Sequence, residues 1–362
     1  MNCFIIGTRA EYIKCFPVML AMQKKRIPYT FIHTGQHDLV DLCKTFKTKQ
    51  PDIVLSEPPK KTTKFFGKTS KAISWNIQLV FKIKEELNKI KNLKYVFFHG
   101  DTMTTTSAAI ASSSFTNPSK RWKNVHLEAG LRSGDLLEPF PEEISRKIAD
   151  RFSDILLAVS DKSKENLEKE GMKGKIFVTG NTVIDSVRIA LKKAKKVKTP
   201  KKFAILTIHR HENIKSKERL KKILQIVESC PIPILFPLHD NTKNKFEEYG
   251  LLSRITQNKN IMITVNQNYP DFIYLISKCS LLLTDGGSIQ EESLIFKKPC
   301  ILLRNATERQ EGLDTPINYL SKLNVEETKK KIQEYLKLTK VKKFENPFGK
   351  GNISKKVLKV LK

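Results

Sequence analysis

The sequence predicts an α/β protein of two domains, each built on a parallel β-sheet. Three observations carry this. Short apolar runs alternate with longer helical patterns from one end of the chain to the other. Those runs are apolar almost without interruption, as in strands covered by helices on both faces. The length of 362 residues suits two domains of roughly 150 residues, each large enough for its own core.

In chain order, strands are expected at Phe4 to Ile6, Tyr29 to His33, Tyr95 to His99, Val125 to Leu127 and Ile155 to Val159. Further strands are expected at Ile176 to Val178, Phe203 to Ile208, Ile234 to Phe236, Ile261 to Thr264, Leu281 to Thr284 and Cys300 to Leu303. Helical patterns fill most of the gaps, as at Ile73 to Leu87 and Arg219 to Glu228. The stretch from Asp185 to Lys202 is helix-like and very basic. It ends in Thr199-Pro200 and connects to a second βαβ array opening at Phe203. Asn346 to Gly351 is a turn, and Ile353 to Leu361 is a last amphipathic helix.

Composition narrows the function. Hydrophobic residues make up 40% and charged residues 28%, which rules out a disordered or fibrous chain. The net charge of +29 raises nucleic acid as a partner. The surplus, however, is scattered lysine, and its runs (Lys192-Lys193, Lys195-Lys196, Lys201-Lys202) lack the interleaved aromatics of an RNA-binding face. A solvated surface and no nucleic-acid partner are expected. Arg9, Arg132, Arg146, Arg210, Arg304 and Arg309 instead fall inside polar motifs, which points to an anionic small molecule.

The six cysteines include no C-x-x-C pair, and the histidines show no zinc spacing, so no metal is expected. No run approaches the ~18 apolar residues of a membrane span and none reads as a signal peptide. The location is expected to be cytoplasmic.

Parallel sheets bind ligands beyond the carboxyl ends of their strands, and the polar motifs here follow strands. They are Gly7-Thr8-Arg9, His99-Gly100-Asp101-Thr102, His126 to Gly130, His209-Arg210 and Thr284-Asp285-Gly286-Gly287. The Gly-Gly pair opens a helical pattern, where phosphate oxygens can reach free backbone N–H groups. It is not the G-x-G-x-x-G fingerprint, which argues against NAD. Asp101, Glu128 and Glu142 are either charge-balancing partners of the nearby cations or general acid/base groups. His209 supplies an imidazole for proton transfer or phosphate contact. Basic groups in both halves (Arg9 and Lys14, then Arg309) imply an anionic ligand in a cleft between two domains.

Taken together, these segments resemble the non-hydrolysing UDP-N-acetylglucosamine 2-epimerase family. The resemblance rests on GTRAEYIK at 7–14, TGQH at 34–37, HGDTMTTTSAA at 99–109, HLEAGLRSGD at 126–135 and PFPEEISR at 139–146. It continues through VTGNTVID at 178–185, HRHEN at 209–213, TDGGSIQEES at 284–293, TERQEG at 307–312 and NPFGKG at 346–351. A sister family that hydrolyses the sugar nucleotide carries different motifs at 100–102 and 126–130.

The resemblance implies two Rossmann-like domains of glycosyltransferase-B type with a cleft between them, the C-terminal helix crossing back to the first. The first domain would span 1–172 and 346–362, the second 173–345. It also implies a cofactor-free inversion at sugar carbon 2, by anti elimination of UDP and re-addition through a 2-acetamidoglucal, and a homodimer. Asp101, Glu128 and Glu142 match the family's catalytic carboxylates, and His209 its active-site histidine. Arg9, Lys14, Gly286, Gly287, Ser288, Glu292 and Arg309 fall at UDP-binding positions, and Phe272 beside uracil.

The sequence departs from the family in three places. The usual Ser-Gly-Gly is Gly286-Gly287-Ser288, the usual Pro after the first Arg is Ala10, and Leu39 replaces a polar residue of the family's regulatory site. Two alternatives share the architecture: the same inversion on a UDP-2,3-diacetamido-glucuronate, or a glycosyltransferase.

Overall fold

The computed structural model describes residues 1–56, 65–135 and 138–361, with the backbone alone for 65–73. The chain divides into two compact units. Unit 1 comprises Met1–Leu131, Phe140–Ser186 and Phe348–Lys362, and unit 2 comprises Arg132–Pro139 and Val187–Pro347.

Unit 1 alternates strand and helix: β1 (Asn2–Ile6), α1 (Arg9–Lys24), β2 (Tyr29–His33), α2 (Val40–Phe46), β3 (Ile53–Val54), α3 (Phe65–Lys89) and β4 (Tyr95–His99). It continues with α4 (Met103–Ser112), β5 (Lys123–Ala129), α5 (Glu142–Arg151), β6 (Ile155–Ala158), α6 (Asp161–Lys169), β7 (Lys175–Val178) and the start of α7 (Val183–Leu191). The seven strands form one parallel sheet in the order β3-β2-β1-β4-β5-β6-β7. The central strands are buried along their length because helices cover both faces, so Phe4 stacks on Phe97 of the neighbouring strand at 4.6 Å.

Unit 2 repeats the plan. It contains β8 (Ala204–Thr207), α8 (His211–Ile214), α9 (Lys217–Glu228), β9 (Ile234–Pro237), α10 (Asp240–Glu248), α11 (Leu252–Thr256) and β10 (Ile261–Thr264). Then follow α12 (Tyr269–Lys278), β11 (Leu281–Thr284), α13 (Gly287–Phe296), β12 (Cys300–Leu302), a 3₁₀ turn at Gln310–Gly312, β13 (Asn318–Leu320) and α14 (Val325–Lys337). Its sheet is parallel, six-stranded and ordered β10-β9-β8-β11-β12-β13.

The last helix, α15 (Ile353–Val360), returns to unit 1. There Asp185 Oδ2 accepts from Ser354 N at 2.8 Å, and the Leu361 carbonyl accepts from Tyr95 Oη at 3.0 Å.

The α/β class and the parallel sheets are as the sequence predicts. Three details differ. β3 and β13, of two and three residues, are too short to leave a pattern. The helix expected over 185–202 ends at Leu191, because Lys192 with Lys196 would place like charges one turn apart and Pro200 closes the stretch. The first unit also runs past residue 172 to Ser186, since β7 adds to its sheet beside β6.

Candidate active site

In each sheet the strand order reverses beside the first strand, at β1/β4 in unit 1 and at β8/β11 in unit 2. Such switch points open a crevice at the strand carboxyl ends. Arg9, Asp101, His209 and the Gly286-Gly287 pair stand in or at the end of the turns that follow these strands, whereas Glu128 lies in β5, Glu142 heads α5, Phe272 is on α12 and Arg309 follows β12.

In unit 1, Thr8 caps α1 and its side chain accepts from Glu11 N, while Glu11 reaches back to Gly7 N at 2.5 Å and Thr8 N at 2.9 Å. This is a capping box with a second task. The other Glu11 oxygen accepts from Thr102 and from Thr105 Oγ1, so one buried carboxylate ties the turn after β1 to the turn after β4. Burial pushes the Glu11 pKa up to about 7, against the pull of these hydrogen bonds.

Glu128 has a backbone φ of +71°, sparsely populated for a residue with a Cβ. The register of β5 against β6 shifts between Leu127 and Ala129, so a bulge turns Glu128 out of the alternation of the strand. Its buried carboxylate accepts from Lys14 Nζ and from Asn181 Nδ2, the latter at 2.7 Å, and lies 3.5 Å from His99 Nε2. Lys14, expected to face UDP, is therefore a partner of Glu128. Arg9 lies at the surface, its guanidinium donating to the Asp38 carbonyl at 3.4 Å.

The helix α5 braces the remaining carboxylates. Glu142 is its first residue and is half-buried. One turn later the buried Arg146 lies 3.3 Å from Asp101 and 3.2 Å from Glu143. A turn further, Asp150 meets His126 Nδ1 at 2.7 Å, and His126 Nε2 lies 2.9 Å from the Gly100 carbonyl. Spacing of i, i+4, i+8 places Glu142, Arg146 and Asp150 on one helix face. Sequence reasoning reads Arg146 only as one of the arginines pointing to an anionic ligand and assigns no role to Asn181, His126 or Asp150. The acidic–basic recurrence of α5 could signal Arg146 and Asp150, and no local pattern signals the other two.

In unit 2, α13 begins at the glycine pair with no side-chain cap, which leaves its first N–H groups to an anion. A Cβ on Gly287 would overlap Arg309 Nη1 and Glu308 Oε1, so only glycine admits the guanidinium this close to the helix start. Arg309 is itself buried, with Nε 2.9 Å from Glu291 Oε1 and Nη1 on Glu308. His209 stands half-exposed after β8, and Ser288 is half-buried in the first turn of α13. Glu292 accepts from Tyr269 Oη at 3.0 Å, and the half-buried Phe272 follows one turn along on α12. No cluster of His, Cys, Asp and Glu that could hold a metal occurs among the described residues.

His99 gives this site a pH signature. Burial disfavours its imidazolium and lowers its pKa from the ordinary 6.5, with Glu128 opposing. The unfolded chain takes up that proton near pH 6.5 and the native chain does not, so stability from this group is present above 6.5 and is lost as pH falls. Glu11 acts oppositely, its contribution full below 4.5 and lost as pH rises through about 7. His99→Asn isolates the first effect: urea midpoints measured from about pH 7.5 to about pH 5.5 should fall less steeply than in wild type. Equal slopes would show that His99 titrates freely.

Comparison with known proteins places the chain. The family model described as UDP-N-acetylglucosamine 2-epimerase matches residues 20–362. The UDP-N-acetylglucosamine 2-epimerase of Methanocaldococcus jannaschii is 35% identical over 372 residues, covering 99% of this chain and 97% of that protein. A crystal structure of the Methanocaldococcus jannaschii enzyme in complex with UDP-GlcNAc and UDP superposes with a TM-score of 0.87 at 33% identity, covering 99% of each chain. The Neisseria meningitidis enzyme bound to UDP-GlcNAc gives 0.85 at 28% identity, covering 100% of this chain and 99% of that one.

Proposed function

The chain belongs to the UDP-N-acetylglucosamine 2-epimerase family, and from that premise we propose that it interconverts UDP-N-acetylglucosamine and UDP-N-acetylmannosamine by anti elimination of UDP and re-addition through a 2-acetamidoglucal. The proton on carbon 2 is not next to a carbonyl, so its removal needs help from departure of the anomeric UDP. The reaction therefore calls for a base, a stabilised diphosphate, and a group that returns the proton on the other face.

Unit 1 supplies the acid/base groups Asp101, Glu128 and Glu142. Unit 2 holds the nucleotide, with His209 and the N-terminus of α13 (Gly286, Gly287, Ser288) toward the diphosphate and Glu292 and Phe272 toward the uridine. The observation that carries this reading is Glu128. A carboxylate held at φ +71°, buried, and bound by Lys14 and Asn181 costs stability that a surface counter-charge would not need.

Incubating pure protein with UDP-N-acetylglucosamine in heavy water, with no acceptor present, tests the proposal. UDP-N-acetylmannosamine carrying deuterium at carbon 2 is expected. Turnover only on addition of an acceptor would make the protein a transferase. A product that keeps its carbon 2 hydrogen would overturn a solvent-exchanging elimination.

A further inference from the structure

We propose that Asp285 is a positioning residue for His209: its buried carboxylate holds the proton on the imidazole Nδ1 and so presents Nε2 to a bound diphosphate. The proposal builds on the reading of His209 as the histidine beside the diphosphate.

Asp285 directly follows β11 and has no exposed surface. That strand pairs in parallel with β8, Thr284 beside Thr207, which brings Asp285 under the turn that carries His209. That turn and the short helix α8 after it supply the partners of the carboxylate. Its two oxygens accept from His209 N at 3.1 and 3.0 Å, from Arg210 N at 2.9 Å and from Asn213 Nδ2 at 3.1 Å, and His209 Nδ1 lies 3.3 Å from Oδ1. The backbone bonds fix the root of His209, and the last approach selects a ring nitrogen. An ionised carboxylate only accepts, so its 3.3 Å approach favours a proton on Nδ1 over one on Nε2. The second ring nitrogen is then directed away from Asp285, as a lone pair in the neutral ring and as an N–H donor once the ring is charged.

Gly286 completes the arrangement. A Cβ there would lie 3.1 Å from His209 Cε1, so the missing side chain lets the ring rest against the start of α13, where the first N–H groups point. His239, its ring centroid 6.2 Å from that of His209, is the other imidazole facing this position. Its own Nδ1 lies 3.2 Å from Asn266 Nδ2, and the Asp285 charge acts on it as well.

The test is nitrogen NMR on the full chain labelled with ¹⁵N-histidine, with His209→Gln identifying the signal. The neutral His209 ring is expected to hold its proton on Nδ1, against the Nε2 preference of free histidine. Asp285→Asn should return the proton to Nε2 and lower kcat at least about tenfold, with KM changing less than about threefold. A wild-type ring protonated on Nε2 overturns the proposal whether or not the variant folds. Titration with UDP separates the two claims. An Nδ1-protonated ring that ignores UDP leaves the pairing standing and removes His209 from the diphosphate.

Discussion

Asp101→Asn, Glu128→Gln and Glu142→Gln are each expected to lower turnover at least about 100-fold while UDP affinity stays within about tenfold of wild type, an allowance of ~1.4 kcal/mol. Each replacement keeps the shape of the side chain and removes its titratable group. A positioned acid or base acts only as the proton moves, so its loss falls on kcat and not on ground-state binding. The structure ranks the three as experiments. Asp101→Asn is the cleanest, since Arg146 still has Glu143 at 3.2 Å to balance its charge. Glu128→Gln leaves the buried Lys14 ammonium facing a neutral amide, so its kinetics need a denaturation midpoint beside them. Glu142→Gln changes a half-buried residue at the first turn of α5, with little expected effect on folding. Isothermal titration with UDP and single-turnover kinetics give the two readouts. A variant that turns over at the wild-type rate marks its residue as a counter-charge.

Asp101 and Glu128 can be found in the sequence because each follows an apolar run, where a charged residue has few structural reasons to be, and Glu142 because it sits in the Pro139-Phe140-Pro141-Glu142-Glu143 motif. Their partners cannot. Lys14 lies 114 residues from Glu128 and Asn181 lies 53 away, and no local pattern encodes a contact over that distance. The bulge that re-aims Glu128 is also invisible, because Leu127-Glu128-Ala129 keeps ordinary strand chemistry. Asp285 stands in plain view but reads as part of a glycine turn, since nothing local distinguishes a buried carboxylate with several donors from a solvated turn residue. The alternation of elements predicts both sheets, whereas β3 and β13 hold their places through neighbours and not through their own residues.

Arg309→Ala is expected to destabilise the protein by about 3–5 kcal/mol, the usual cost of removing one partner from a buried ion pair. The sequence alone would read Arg309 as a surface hand for UDP, with weakened binding as the main result of its loss. The structure points elsewhere. The side chain is 4% exposed, with Nε 2.9 Å from Glu291 Oε1 and Nη1 on Glu308. Glu308 has no exposed side-chain surface and also meets Arg304 Nη1 at 3.1 Å and Arg210 Nη2 at 3.4 Å. Arg309 thus helps balance two carboxylates, Glu291 and Glu308, in the interior of unit 2, and the Arg309 carbonyl also accepts from Gln290 Nε2 at 2.9 Å. Truncation to alanine leaves that negative charge with less compensation in a medium that solvates it poorly. Arg309→Lys should recover only part of the loss, because one ammonium cannot fork between two carboxylates as a guanidinium does. Arg309→Met combined with Glu291→Gln should cost less than Arg309→Met alone, since the second change removes a charge that the first leaves uncompensated. Urea denaturation of the four proteins measures this directly. An Arg309→Ala variant that unfolds at the wild-type midpoint and loses only UDP affinity would return the guanidinium to the ligand.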